Sequence, residues 1–120
     1  MIWSVMLGGA LGAAGRYGLS RAMVGADWPM AVFSANLLGS LLIGALAALP
    51  AVREADPRVA AFLMTGVLGG FTTFSTFSLD VVTMADAGRV GAAALYAGGS
   101  LAACVAGCAL GMMVIRGVSG

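Results

Sequence analysis

The chain has 120 residues, 61% hydrophobic and 9% charged, with a mean hydropathy of +1.03. A water-soluble domain carries roughly a quarter charged residues and has no place to hide this much apolar surface, so the composition indicates an integral membrane protein. A net charge of +1 gives no electrostatic footprint for nucleic acid, and the chain has neither lysine nor histidine.

Four apolar segments predict four transmembrane helices in a single all-α membrane domain covering 1–120. They lie at 1–22, 30–52, 59–79 and 90–115, each near the roughly 20 residues that cross about 30 Å of hydrocarbon. The connections at 25–29, 53–58 and 80–89 are short, and Pro29 and Pro57 stand just before helix starts. No basic residue precedes the first apolar run, so a signal peptide is not expected.

The first segment is interrupted by Arg16 and Arg21. Arg16 costs roughly 2.5–3.5 kcal/mol at the bilayer centre; near the end of its span it snorkels instead, and Tyr17 beside it suits an interfacial belt. The second segment is uncharged but holds Asn36. An unpaired buried amide costs on the order of 2–7 kcal/mol, so Asn36 needs a partner, either across a helix interface or in a solvated path. Gly39 leaves room beside it.

The third segment is the most informative. Residues 66–78 read Gly-Val-Leu-Gly-Gly-Phe-Thr-Thr-Phe-Ser-Thr-Phe-Ser. Gly66, Gly69 and Gly70 predict a helix broken in mid-membrane, and a break frees carbonyls and amides able to meet a cation or an anion. The hydroxyls of Thr72, Thr73, Ser75, Thr76 and Ser78 either bond back to the preceding turn or line a polar path. Phe71, Phe74 and Phe77 form a row that is either core packing or a set of weakly positive ring edges facing a small anion.

On the fourth segment Tyr96, Ser100 and Cys104 are four apart and share a face, either lining a path or bonding to another helix. Cys104 and Cys108 read as packing residues; four apart on a helix they are poorly placed to form a disulfide, and two thiols are not a zinc site. Small-xxx-small pairs recur at Gly8 and Gly12, Ser40 and Gly44, Gly66 and Gly70, and Gly107 and Gly111, as close helix packing in lipid requires.

Four spans place both termini on one side, with Arg53, Arg58 and Arg116; Arg21 and Arg89 lie on the other, with Arg16. So small a bias leaves two readings: an antiparallel, dual-topology homodimer, or one orientation set by the insertion machinery. No Asp, Glu or His falls within the four expected spans, which disfavours a small multidrug transporter. The chain also lacks a metal-ligand cluster, a nucleophile-base pair and a phosphate loop, so it is not read as an enzyme. A structural or assembly subunit of a membrane complex explains the glycines but not the hydroxyl-phenylalanine pattern.

Three motifs give the chain a family resemblance. Gly8-Gly9-Ala10-Leu11-Gly12-Ala13-Ala14-Gly15-Arg16-Tyr17 fits the GGxxGAxxRY start of the Fluc/CrcB fluoride ion channels. Asn36-Leu37-Leu38-Gly39 follows seven residues after Pro29, and Gly66 through Phe77 fits GxxGGxTTFSTF. The chain therefore resembles that family over essentially its whole length. The resemblance implies an antiparallel, dual-topology homodimer with two fluoride pores in the inner plasma membrane, surrounded by lipid. Fluoride would leave the cell passively down its gradient. Phe74 and Phe77 would be the pore phenylalanines and Asn36 the pore amide. Thr76 and Ser100 would belong to a polar track, Tyr96 would lie on the same pore-facing stripe, and Arg16 would sit near an entrance. A structural sodium ion on the dimer axis would be held by the backbone carbonyls of Gly69 and Thr72 from both subunits. The chain departs from the family's common Gly-Thr at Ala31-Val32, and Cys104 stands where a hydroxyl would continue the track.

Overall fold

The computed structural model describes residues 1–25 and 29–119; most of the expected 25–29 connection, including Asp27 and Trp28, lies outside them. The described residues are helical, without strands. In chain order they form α1 (Ile2–Ala22), α2 (Met30–Ala48), α3 (Pro50–Arg53), α4 (Pro57–Ala60), a π-helical stretch (Ala61–Leu68), α5 (Gly69–Phe71), α6 (Ser75–Asp86) and α7 (Val90–Ser119).

Local chemistry sets the ends. Proline disfavours helical geometry in the residue before it, and Leu49, ahead of Pro50, is extended (φ −74°, ψ 119°). The expected span 30–52 is therefore one helix to Ala48 plus the single turn α3. Asp56 caps α4: its Oδ1 accepts from the Arg58 backbone N–H at 2.9 Å, and its Oδ2 accepts from the guanidinium at 2.8 Å. These bonds hold the Asp56 carboxyl down at about 2. A lowered carboxylate pKa makes the cap favourable above the ordinary value of 3.8, and the effect fades as pH falls toward about 2.

The third span is longer than its apolar stretch. α6 runs beyond Leu79 to Asp86 and closes on Gly88 (φ 84°), with the Arg89 N–H donating to the Met84 carbonyl at 2.9 Å. This glycine-centred closure sets the true helix end. It places Asp80 within a helical span, Pro57–Asp86, and corrects the expectation that no carboxylate lies inside one. Three helices among the described residues are long and apolar enough to cross a membrane: Met30–Ala48, Pro57–Asp86 and Val90–Val118. The first helix, Ile2–Ala22, is glycine-rich and carries Arg16 and Arg21, and it is not among them.

The helices associate through small residues. α1 packs along the π-helical stretch and α5, while α2 packs along α7, which also meets α6. A Cβ on Gly66 would lie 2.9 Å from Gly8 Cα, and one on Gly70 would lie 2.6 Å from the Gly9 carbonyl oxygen. A Cβ on Gly12 would collide with the Val67 carbonyl. Across the other interface, Gly44 abuts the Cys108 backbone and Gly111 the Leu41 carbonyl. Glycines of each small-xxx-small pair are thus sites of close helix contact. Among the described residues no large side chain is fully buried, while Trp3, Leu7, Leu95 and Leu101 stand exposed. An apolar exterior around a thin core suits a chain whose surroundings are hydrocarbon.

Gly44→Val tests these interfaces. Its Cβ would meet backbone that cannot rotate away, so a stability loss of roughly 1–3 kcal/mol or more is expected. It would appear as a lowered melting temperature in detergent. Gly98→Ala, with open space around it, should melt within about 0.5 kcal/mol of the parent.

Candidate functional site

The third span breaks at residues 72–74, between α5 and α6. The expected break at the glycines is thereby displaced: Gly69 and Gly70 are helical, and the chain turns extended at Thr72 (φ −84°, ψ 159°). Glycine weakens a helix by only about 1 kcal/mol, whereas hydrogen bonds from elsewhere in the fold fix where this one opens. Asn36 of α2 supplies two of them. Its Oδ1 accepts from the Thr73 N–H at 2.8 Å, and its Nδ2 donates to the Thr73 carbonyl at 3.0 Å. Asn36 therefore bridges helices, and it also lines a cavity.

The five hydroxyls divide into two groups. Thr72 and Ser78 bond back four residues, to the Leu68 carbonyl at 3.0 Å and the Phe74 carbonyl at 2.9 Å. Thr73, Ser75 and Thr76 instead form a cluster. Thr73 Oγ1 lies 3.3 Å from Ser75 Oγ and 3.4 Å from Thr76 Oγ1, and it accepts from the Thr76 N–H at 3.3 Å. Thr73 thus caps α6.

The break also leaves carbonyls open. In a continuous helix the Thr73 N–H would bond to Gly69 and the Thr76 N–H to Thr72. Here Asn36 and Thr73 Oγ1 take those donors. The two carbonyls named as sodium ligands are thus released by the turn that follows them, and neutral oxygens of this kind fit an alkali cation. The next carbonyl, Gly70, accepts from Arg16 Nε at 3.3 Å. Arg16 is half-buried against the break, and it is not among the residues that line the cavity.

That cavity, about 310 Å³, brings together Asn36, Gly39, Thr73, Phe74, Phe77, Ser100 and Cys104. No charged side chain is among its lining residues. The phenylalanine row does not share one face, because the break reverses it. Phe71 turns toward Gly15 and Gly39 of α1 and α2. Phe74 and Phe77 stay at the cavity, their ring centroids 5.4 Å apart and tilted by 47°. Phe74 is 77% exposed. Phe77 also meets Tyr96, with centroids 5.1 Å apart.

Tyr96 and Ser100 line a second cavity of about 250 Å³ with Phe33 and Leu95, so Ser100 stands between the two. Its Oγ is buried and has no hydrogen-bond partner among the described residues. Thr76 joins the hydroxyl cluster and lines neither cavity. One contact is new relative to the sequence reading: the Tyr96 hydroxyl donates to Asp80 Oδ2 at 3.4 Å. The Gly88-Arg89 helix-end signature was the available signal, since it extends α6 past Asp80.

The family described as CrcB-like protein, Camphor Resistance (CrcB), matches residues 3–112. The chain belongs to the CrcB family. It is 48% identical to the fluoride-specific ion channel FluC of Ruegeria sp. (strain TM1040), over 98% of this chain and 95% of that one. Identity is 46% to the FluC of Rhodospirillum centenum, over 97% and 95%, and 43% to that of Novosphingobium aromaticivorans, over 96% and 95%. The match therefore takes in α1, the 72–74 break and the Ser100 face of α7 together.

Ser100→Ala tests whether that hydroxyl serves the fold. A buried group without a partner contributes no bond to lose, so the melting temperature in detergent should stay level or rise. A fall of several degrees would reveal a structural partner.

Proposed function

We propose that this protein is a passive fluoride-selective channel that exports cytoplasmic fluoride. The observation that carries this reading is the uncharged cavity where the Asn36 amide, the Phe74 and Phe77 rings and the unpartnered Ser100 hydroxyl meet. Fluoride is small and strongly hydrated; a fixed cation would hold it too firmly, whereas several weak neutral contacts let it enter and leave. Asn36 has two N–H donors; one is engaged by Thr73, which leaves the other for an ion. Phe74 and Phe77 contribute ring edges. The naming of the relatives as fluoride-specific channels supports the same substrate.

The functional unit is an antiparallel, dual-topology homodimer with two pores, each subunit crossing the inner plasma membrane four times, α1 included. The small arginine bias and the largely exposed Phe74, which a second copy would cover, support this assembly. A structural sodium ion on the dimer axis would be held by the Gly69 and Thr72 carbonyls of both subunits, contributing fixed positive charge at the interface. Thr76, Tyr96 and Arg16 act behind the pore wall, through Thr73, Phe77 and the Gly70 carbonyl. A structural subunit of a larger complex offers no use for the cavity. The multidrug-transporter reading loses its opposing argument at Asp80 but is not favoured by the family.

Reconstitution in liposomes with an external fluoride electrode tests the channel. Efflux with a potassium ionophore should greatly exceed that from empty vesicles; equal rates would refute it. Phe74→Ile should slow efflux by on the order of tenfold or more, equivalent to about 1.4 kcal/mol at the barrier, while the dimer still assembles. Unchanged flux would discard the ring-edge role.

A further inference from the structure

We infer that Asn36 is a positioning residue for the cation ligands, acting through its paired hydrogen bonds to the Thr73 backbone. The inference rests on the sodium site proposed above and links it to the anion path through a single side chain. The decisive bond is the one from the Thr73 N–H to Asn36 Oδ1, at 2.8 Å. A helix that continued through this point would direct the same N–H to the Gly69 carbonyl. By accepting it, Asn36 keeps Gly69 free. The second bond, from Nδ2 to the Thr73 carbonyl at 3.0 Å, holds the next peptide group, so the peptides on both sides of Thr73 Cα are fixed to one amide. It also leaves Thr73 Oγ1 placed to take the Thr76 N–H, the donor that Thr72 would otherwise receive.

No group of the segment itself takes the Thr73 N–H, which bonds to Asn36. Thr72 bonds back to Leu68 through both its N–H and its hydroxyl, each at 3.0 Å, and so holds the α5 end helical rather than open. Arg16 occupies the Gly70 carbonyl and leaves its Gly69 neighbour untouched. Gly39, one helical turn from Asn36 on α2, admits the Thr72 side chain at a contact where a Cβ would collide with its methyl group, so α2 lies close enough for the amide to reach the break.

A merely structural residue would lower stability equally at every sodium concentration. A residue that positions ligands changes the sodium dependence itself, because a ligand bound only by the native state stabilises it in proportion to its occupancy. The test is the melting temperature of the purified full-length protein in detergent as sodium chloride replaces N-methylglucamine chloride at constant ionic strength. The parent should gain several degrees with sodium. Asn36→Ala, free to return the Thr73 N–H to Gly69, should lose most of that gain. Asn36→Asp keeps the acceptor for the Thr73 N–H, so it should retain the sodium response while its added charge stops fluoride efflux. A full sodium response in Asn36→Ala overturns the inference while leaving the sodium site standing. A parent indifferent to sodium removes the site and the inference together. Should Asn36→Ala fail to fold, loss of the response in folded Asn36→Asp is the overturning result.

Discussion

Two hydrogen bonds between the Asn36 amide and the Thr73 backbone hold the rest of the arrangement in place. At membrane depth no water relieves an unpaired peptide group, so irregular backbone persists only where protein satisfies it. Asn36 satisfies both groups of the central residue of the break, Thr73 Oγ1 satisfies the first turn of α6, and Arg16 satisfies Gly70. With the chain opened at this point, Phe71 turns inward toward α1 and α2 while Phe74 and Phe77 turn toward the cavity. Side chains only three residues apart are thereby given different surroundings.

The glycine contacts pack the helices around that opening closely. α1 meets the π-helical stretch at Gly8 and Gly12, and α2 meets α7 at Gly44 and Gly111, with backbone against backbone. Helices this close leave little freedom for the side chains between them, and interhelical association in lipid depends on such packing. Asn36 on α2 and Ser100 on α7 are consequently presented to the break by a helix pair fixed a short distance away. The cavity they share is lined by neutral polar and aromatic side chains, which suits the anion path proposed above.

Much of this was legible in the chain itself. Apolar runs located the helices, Pro29 and Pro57 marked helix starts, and glycines of the small-xxx-small pairs fell where helices touch, whereas the boundary at Pro50 was passed over. The 66–78 stretch pointed to the right segment and, with the motifs of α1 and α2, to the family. The exact position of the break was not legible. Glycine propensity pointed to 66–70, but Gly66 and Gly70 are consumed by contact with α1, and a side chain 37 residues away sets the opening at Thr73. The separation of Phe71 from Phe74 and Phe77 was not legible for the same reason: it follows from where the chain opens. Asp80 was placed in a loop because the apolar run ends at Leu79, although the helix continues until Gly88 closes it.

Asp80 gives the question of passivity its edge, since a carboxylate bonded to Tyr96 stands within the span that carries the phenylalanines. Proton-coupled transporters use such groups; a passive fluoride channel has no need to titrate one during transport. The most direct measurement is the reversal potential of the reconstituted protein in a planar bilayer, with fluoride at tenfold different concentrations on the two sides and an imposed pH gradient. A passive fluoride channel reverses near the Nernst value for a univalent ion, about 59 mV, whichever way the pH gradient runs. A reversal potential that moves with the pH gradient would contradict passive conduction and make the carboxylate a coupling group.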